Sequence, residues 1–327
     1  VRLLWCMVHA SALRSCMFGS HLSVAGGMEN ALLEAEKLKL DCVQVFTKNQ
    51  RQWKIKPLSD EQIENWTNEL ARLGWDDLSG PARTVSHASY LINLASPDDE
   101  LWEKSIGLMR IEIERCDALK IPLLVHHPGA FTTSDERSGL KRIAKAYKKL
   151  FKETKGARVI SLLENTVGSG SNLGRTFDQL GELRSMIIDS TGEPERVGFC
   201  FDTCHAHAGG YDMSTRTSAD AALDEFDQSC GLAHLHCLHL NDSKGDVGSR
   251  KDRHEHIGQG TLGLSGGQAG GKKLALGKTG FAAVVNRPEL ADKPMILETP
   301  KGEDPKGTPW DTINVRRLRR LVDAPRA

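Results

Sequence analysis

The sequence predicts an α/β protein, a (β/α)8 TIM barrel in a single domain. Short apolar segments rich in β-branched residues recur eight times, and helical patterns lie between them. The segments that begin from residue 42 to residue 235 start 37 to 40 residues apart, as strand-helix units of a parallel sheet do. Eight such units close a barrel, and 327 residues suffice for one.

Nearly every predicted strand ends in a polar residue. In chain order the strands span residues 17–23, 42–48, 82–89, 121–128, 158–166, 197–205, 235–242 and 294–301. After the first strand, Met28, Leu32, Ala35 and Leu38 form the apolar stripe of a helix, and residues 98–119 form a longer helical pattern. These helices connect consecutive parallel strands, as the barrel requires.

Two segments fall outside this repeat. Residues 1–16 form an N-terminal extension whose apolar core is too short for a signal peptide, so the barrel domain is expected to span residues 17–325. A glycine-rich run at about 264–279 predicts a flexible surface insertion. It is not a phosphate-binding loop, because Gly271 and Gly277 are one residue too far apart and no strand precedes them.

Composition limits the function classes. The formal net charge is zero, which argues against a generic basic coat for nucleic acid and leaves only a local patch for such contacts. Eight dispersed cysteines indicate reduced thiols in an intracellular, cytoplasmic protein. No apolar run approaches the roughly 20 residues that span a bilayer, so no membrane partner is expected.

Carboxylates and imidazoles cluster at the predicted carboxyl ends of the strands, where barrels place their active sites. The strand-end candidates are His87, His127, Glu164, Asp202, His205, His239 and Glu298, and the long loop after strand seven adds Asp252 and His254. Nitrogen and oxygen ligands without paired cysteines suit zinc or manganese. The sequence therefore predicts a metal-dependent active site at this rim.

Each candidate also has a purely structural interpretation. A lone histidine at a strand end is more often hydrogen-bonded or exposed than metal-bound, Glu164 could cap the following helix, and Glu298 could pair with a lysine. The metal interpretation is favoured because six of the eight strands end in a potential ligand.

Spacing divides the nine candidates between sites. His205 lies three residues beyond Asp202 in the turn, so these two are expected to face different metals. Asp252 and His254, two apart in an extended loop, project to one side and with His205 make a three-ligand site. The remaining six suit a pair of metals bridged by a carboxylate.

Several strings of the sequence together are similar to the endonuclease IV family of apurinic/apyrimidinic endonucleases. They follow in order from about residue 17 to 322 and include GSHLSVAGG, VFTKNQRQW, SHASYLINL, LLENTVGSGSNLG, FDTCHAHAGGYD, LHLNDSK, GSRKDRHEHIGQG and ILETPK. The extension and the glycine-rich insertion have no counterpart in this pattern. The resemblance implies a TIM barrel with a trinuclear zinc centre.

The resemblance also assigns the ligands of three Zn²⁺ ions per chain, with Mn²⁺ able to occupy one site. One zinc would be held by His87, His127 and Glu164. Glu164 would bridge to a second, held also by Asp202, His239 and Glu298. The third would be held by His205, Asp252 and His254. As catalytic residues we assign Glu164, His127, His205 and Asp202.

The implied reaction is hydrolysis of the phosphodiester 5′ to an abasic site in duplex DNA, leaving a 3′-hydroxyl and a 5′-deoxyribose phosphate. Blocked 3′ ends would also be trimmed, and the protein would act as a monomer. By resemblance, Arg51, Tyr90 and Leu91 enter the DNA at the lesion. Without it, Tyr90 and Leu91 indicate the start of a core-packing helix.

Two other functions are compatible with the sequence. A metal-dependent sugar isomerase or epimerase uses His, Asp and Glu at the same rim, but needs one or two metals and no third site. A DNA-lesion binding protein without catalysis would not need a complete ligand set. His126, His207 and His256 match no ligand position, so we expect them to be non-ligands.

Overall fold

The computed structural model describes residues 16–322 and contains a closed barrel of eight parallel strands. The predicted extension, apart from Cys16, lies outside the described residues. The barrel strands are β1 Met17–His21, β2 Cys42–Val45, β3 Thr84–His87, β4 Leu123–His126, β5 Ile160–Glu164, β6 Val197–Asp202, β7 Leu235–His239 and β10 Pro294–Leu297. All eight predicted strands are confirmed.

Each barrel strand pairs with the barrel strands that precede and follow it in the sequence, so β7 pairs with β10. The ring closes where β1 pairs with β10. At the closure, Met17 lies opposite Pro294 and Ser20 lies opposite Leu297. The predicted strands were too long at their carboxyl ends because the polar residues there leave the sheet. Asp202, for example, ends β6 and caps the next helix, so the strand does not continue to His205 as predicted.

Helices follow the strands and cover the outside of the barrel. They are α1 Asn30–Lys37, α2 Asp60–Leu73, α3 Asp99–Ala118, α4 Glu136–Glu153, α5 Phe177–Thr191, α6 Thr203–Gly209, α7 Arg216–Cys230, α8 Gly280–Asn286 and α9 Trp310–Arg319. Their ends follow local rules: Ser59 forms a capping box with Gln62 at the start of α2, and Gly74 ends α2 in the left-handed conformation. None of the helices within residues 16–322 is both long and apolar enough to cross a membrane.

Two apolar layers stabilise the fold. A small cluster fills the barrel interior; it comprises Met17, Cys42, Val85, Leu123, Val125, Leu162, Cys200, Cys237 and Ile296. A much larger cluster lies between the strands and the helices, with Trp66, Tyr147 and Phe226 fully buried. The interior is therefore packed, which leaves the loops at the carboxyl ends of the strands to form a site.

The long connection after β7 folds over that carboxyl end. Two short strands, β8 Asp242–Ser243 and β9 His254–Glu255, pair antiparallel within it. The glycine-rich segment 264–279 follows on the surface, where Leu264 and Lys273 form an isolated bridge. Its buried Gly267 accepts a hydrogen bond from the Val247 amide at 2.9 Å, so the segment is tied to the same connection.

Candidate metal centre

The barrel brings all nine candidate ligands to one mouth. His87, Glu164, Asp202 and His239 are the last residues of β3, β5, β6 and β7, and each is buried. The remaining five follow the barrel strands, in loops, in α6 or in the short strand β9: His127, His205, Asp252, His254 and Glu298. Apart from two groups that include a cysteine, their potential ligand atoms form three groups, each with all atoms within 4.8 Å of one another.

The first group is His87, His127 and Glu164. The Oε2 atom of Glu164 lies 3.2 Å from His87 Nε2 and 3.2 Å from His127 Nε2. His87 Nδ1 is 2.8 Å from the Ala88 carbonyl, so its ring is held with Nε2 towards Glu164. A carbonyl that fixes a histidine ring in this way is typical of the surroundings of metal ligands.

The second group shares Glu164 with the first and adds Asp202, His239 and Glu298. His239 Nδ1 lies 2.9 Å from Glu164 Oε1 and 3.2 Å from Glu298 Oε2. The two oxygens of Glu164 therefore face different groups, which is the arrangement a bridging carboxylate needs.

The third group is His205, Asp252 and His254. Asp252 Oδ1 lies 3.2 Å from His205 Nε2 and 3.3 Å from His254 Nε2. His205 enters the group from the first turn of α6, which Asp202 caps by accepting the His205 amide hydrogen bond at 2.7 Å. The side chains of Asp202 and His205 thus belong to different groups, although the His205 amide donates a hydrogen bond to Asp202.

The donor atoms of these groups fit divalent cations. His254 Nε2 is buried and has no hydrogen-bond partner, and it points to Asp252. Four carboxylates and five imidazoles share this mouth, a set of oxygen and nitrogen donors that suits zinc or manganese. The assignment of individual residues as ligands stays a prediction.

The groups perturb each other electrostatically. Burial by itself raises the pKa of Glu164, but His239 and His127 more than offset it and hold the pKa well below the ordinary value. Burial likewise opposes protonation of His254, yet the Asp252 carboxylate, 3.3 Å from Nε2, raises its pKa to about 9. The histidines around Glu164 therefore favour its ionised form, which is the form that binds a metal.

Polar residues around the groups were not predicted from the sequence. Gln44, inside β2, accepts a hydrogen bond from His239 Nε2 at 2.8 Å and donates to Glu298 Oε1 at 2.6 Å. Asn241 donates to Asp202 Oδ2 at 2.7 Å and accepts from the Glu298 amide. A glutamine inside the apolar strand CVQV was the available signal, because a buried amide needs partners.

Two cysteines also lie beneath the second group. Cys200 and Cys237 are register partners on β6 and β7, and their sulfurs lie within 4.8 Å of a His239 ring nitrogen. Burial raises the pKa of the Cys200 thiol well above its usual value. The seven cysteines within the described residues are free, as predicted, whereas Cys6 lies outside those residues.

The other histidines singled out in the sequence make structural contacts. His126 Nε2 is 2.6 Å from the Tyr147 hydroxyl, and His256 stacks on Trp310 with 3.9 Å between ring centroids. His207 Nε2 lies 3.1 Å from the Gly267 carbonyl. Within residues 16–322 none of the three belongs to a candidate metal group.

The structural interpretations of the two glutamates are wrong. Helix α5 begins at Phe177 and is capped by Thr176, so Glu164 does not cap it. Lys301, the nearby lysine, pairs with Asp311 at 2.9 Å, while Glu298 faces His239.

A cavity of about 400 Å³ opens beside the first and third groups. It is lined by His127, Thr166, Val167, Ser169, Asn172, His205, Arg250, Lys251, Asp252 and Arg253. This volume lies within the usual range of small-ligand pockets. The three cations of the RKDR string thus lie next to the candidate ligands.

The predicted DNA-contacting residues lie on two neighbouring loops at the mouth. Arg51 is exposed in the turn after β2. Tyr90 is 61% exposed, and its ring centroid is 5.4 Å from that of His87. Tyr90 and Leu91 lie in a turn, and the next helix begins only at Asp99, so the alternative of a core-packing helix starting there is wrong.

Comparisons with known proteins agree with the barrel fold. Residues 32–321 match the family model described as a xylose isomerase-like TIM barrel. A probable endonuclease 4 of Chloroflexus aurantiacus is 43% identical over 305 residues, which cover 93% of this chain and 98% of that protein. The chain belongs to the endonuclease IV family. Membership in the endonuclease IV family classes the chain as a hydrolase, an AP endonuclease of DNA repair.

Solved structures extend the comparison. The crystal structure of endonuclease IV from Thermus thermophilus has a TM-score of 0.75 and 33% identity, covering 93% of this chain and 98% of that one. A D-tagatose 3-epimerase-like protein has a TM-score of 0.64 at 16% identity, covering 93% and 96%. The epimerase-like protein shares only the fold, whereas the endonuclease IV family also shares the sequence.

Proposed function

We propose that this protein hydrolyses the phosphodiester 5′ to abasic sites in duplex DNA, leaving a 3′-hydroxyl and a 5′-deoxyribose phosphate. Trimming of blocked 3′ ends is part of the same proposal. The observation that carries it is Glu164, whose two carboxylate oxygens face separate groups of candidate ligands at the mouth of the barrel. Such a bridge is what two-metal phosphodiester hydrolysis requires.

The nine residues of the three groups would hold three Zn²⁺ ions, with Mn²⁺ at one of them as an alternative. Divalent cations supply the polarisation of the phosphoryl oxygens and lower the pKa of water. The chain itself fixes where they act: carbonyls orient His87 and His205, and Asp202 connects the second group to the helix that carries His205.

The surface of the mouth supports a DNA substrate. Arg250, Lys251 and Arg253 surround the cavity next to His205, where they would contact backbone phosphates. The exposed Arg51 and Tyr90, together with Leu91, would fill the stack when the abasic nucleotide leaves the duplex. A flipped nucleotide then has the cavity beside His127 and Asp252 to enter.

The test is incision of a duplex that carries one abasic site. We expect the wild-type protein to nick it and Glu164→Gln to lose at least about 10³-fold in kcat, because an amide cannot serve two groups as an anionic bridge. Glu255→Gln is the matched control: Glu255 follows His254 but faces Lys244, at 3.9 Å. It is expected to keep incision within about twofold.

Full incision by a folded Glu164→Gln protein would contradict the bridge. Tight binding of abasic DNA without nicking by the wild type would instead favour a lesion-binding protein. The sugar isomerase or epimerase alternative predicts turnover of a ketose and none of DNA. No observation favours it beyond the shared fold.

A further inference from the structure

The two loops that carry Arg51 and Tyr90 meet on one buried carboxylate, Glu112 of helix α3. Glu112 is 1% exposed. Its Oε2 accepts a hydrogen bond from the Thr47 hydroxyl at 3.0 Å, and its Oε1 accepts one from the Ser89 amide at 3.2 Å. Thr47 and Ser89 each lie two residues beyond the end of a strand, β2 and β3, so one side chain holds the start of both loops.

A buried lysine completes the connection to the Arg51 loop. Lys48 Nζ lies 3.8 Å from Glu112 Oε1 and donates to the carbonyls of Asn49 and Gln52 at 2.8 and 3.1 Å. These carbonyls flank Arg51 in the turn. The Lys48 ammonium thus fixes the turn through two of its carbonyls. The opposite charge of Glu112 offsets the cost of burying this ammonium.

The two loops are also bonded to each other. The Ser89 hydroxyl donates to the Gln50 carbonyl of the other loop at 2.7 Å. Within its own loop, Ser89 Oγ accepts a hydrogen bond from the Leu91 amide at 3.3 Å. Arg115, one turn after Glu112, donates to the Thr47 carbonyl at 3.0 Å. Both loops therefore form one rigid unit with α3, rather than two independent surface turns.

We infer that Glu112 is a positioning residue that locks the Arg51 loop and the Tyr90–Leu91 loop into a single DNA-inserting unit. This inference rests on the proposed function for its consequence but not for its geometry. Glu112 acts through Thr47, Lys48 and Ser89 and does not itself face the candidate metal groups. Preorganised loops would lower the entropic cost of binding the distorted duplex.

The variant Glu112→Gln keeps the shape but removes the charge opposite Lys48 and one of the two acceptors. We expect faster amide hydrogen exchange at residues 47–52 and 89–91 together. In kinetics, we expect the KM for abasic duplex to rise about tenfold while kcat at saturation changes less than about twofold. The ratio of duplex incision to hydrolysis of bis(p-nitrophenyl) phosphate would fall by the same factor, because that small diester needs no inserting loops.

Glu114→Gln is the matched control, because Glu114 lies on the same helix, is exposed and pairs with Arg110. It should leave exchange and kinetics unchanged. If Glu112→Gln is too unstable to assay, two milder variants replace it. Ser89→Ala removes the two hydrogen bonds of the Ser89 hydroxyl, and Thr47→Val removes the one hydrogen bond from Thr47 to Glu112. Each is then expected to raise the KM for duplex about threefold.

Unchanged exchange in both loops of a folded Glu112→Gln protein would overturn the inference, as would a proportional loss of duplex and small-diester turnover. The failure of the proposed function is distinguishable, since it appears as absent incision by the wild type. In that case the exchange measurement alone decides whether Glu112 joins the loops.

Discussion

At the residue scale, Gln44 shows how one uncharged side chain orients a candidate metal site. Its amide oxygen accepts a hydrogen bond from His239 Nε2, which leaves Nδ1 to face Glu164 and Glu298. Its amide nitrogen donates to Glu298. Because both contacts set which atoms face the second group, Gln44 fixes the orientation of two candidate ligands, His239 and Glu298, and belongs to none of the candidate groups itself.

Replacing Gln44 with leucine is expected to lower metal affinity at the second group by about 10- to 100-fold. The reason is that His239 loses the acceptor that fixes its tautomer, and Glu298 loses a donor. Bound metal is measured by mass spectrometry after equilibration at defined free zinc. Gln228→Leu, an exposed change on α7, is the control. Equal zinc affinity in both variants would refute this role.

At the element scale, the glycine-rich segment 264–279 packs against the backbone that carries the third group. The Gly267 carbonyl lies 3.1 Å from His207 Nε2, and the His207 carbonyl accepts from the Gly248 amide at 2.9 Å. Arg250 lies two residues before Asp252, and its backbone amide donates a hydrogen bond to the Ala208 carbonyl. The segment therefore packs against the helix and loop that carry His205 and Asp252. Its description as an insertion absent from relatives stays a prediction.

Gly267→Ala tests this support. Gly267 has φ of 61° and a Cβ there would collide with the His207 ring, whereas Gly270 has φ of 90° and open space around it. Both alanine variants carry backbone strain, but only the first displaces His207. We expect Gly267→Ala to lower the free energy of unfolding by about 1–3 kcal/mol more than Gly270→Ala.

Denaturant titration of the two variants measures that difference, and zinc binding at the third group should weaken only in Gly267→Ala. Equal unfolding free energies would show that the segment does not press on His207. Because the two glycines share a segment and a left-handed backbone, their strain largely cancels in the comparison.

At the scale of the whole molecule, the barrel gathers four carboxylates and five histidines at one end, most of them buried. Residues this polar are stable there only when their charges are compensated. The imidazoles do this in part, as the lowered pKa of Glu164 and the raised pKa of His254 indicate. Bound cations would complete the compensation and stabilise the fold.

We therefore expect removal of metal by a chelator to lower the melting temperature, and added zinc to restore it. Saturation of a site at 100 times its dissociation constant contributes about 2.7 kcal/mol to folding. Metal content near three per chain would support the endonuclease centre, while one or two would favour the isomerase alternative. Chelator already saturated with zinc is the control. An unchanged melting temperature in metal-free protein would contradict bound structural cations.

The sequence by itself determined the barrel and the residues of its mouth. Strand periodicity and the polar residue that ends each strand are local properties, so they can be recognised along the chain. Parallel strands then require their carboxyl ends to meet, which brings His87, Glu164, Asp202 and His239 together without knowledge of the coordinates. The assignment of Asp252 and His254 as candidate ligands followed from their spacing and from the family resemblance.

Only the tertiary structure decided the contacts that hold those residues in place. Gln44 and His239 are 195 residues apart, and the Glu112 connection joins two loops through a helix that belongs to neither. Cys200 meets Cys237 through the register of two strands. Register, loop path and side-chain rotamer depend on packing between distant segments, and no local pattern in the sequence specifies them.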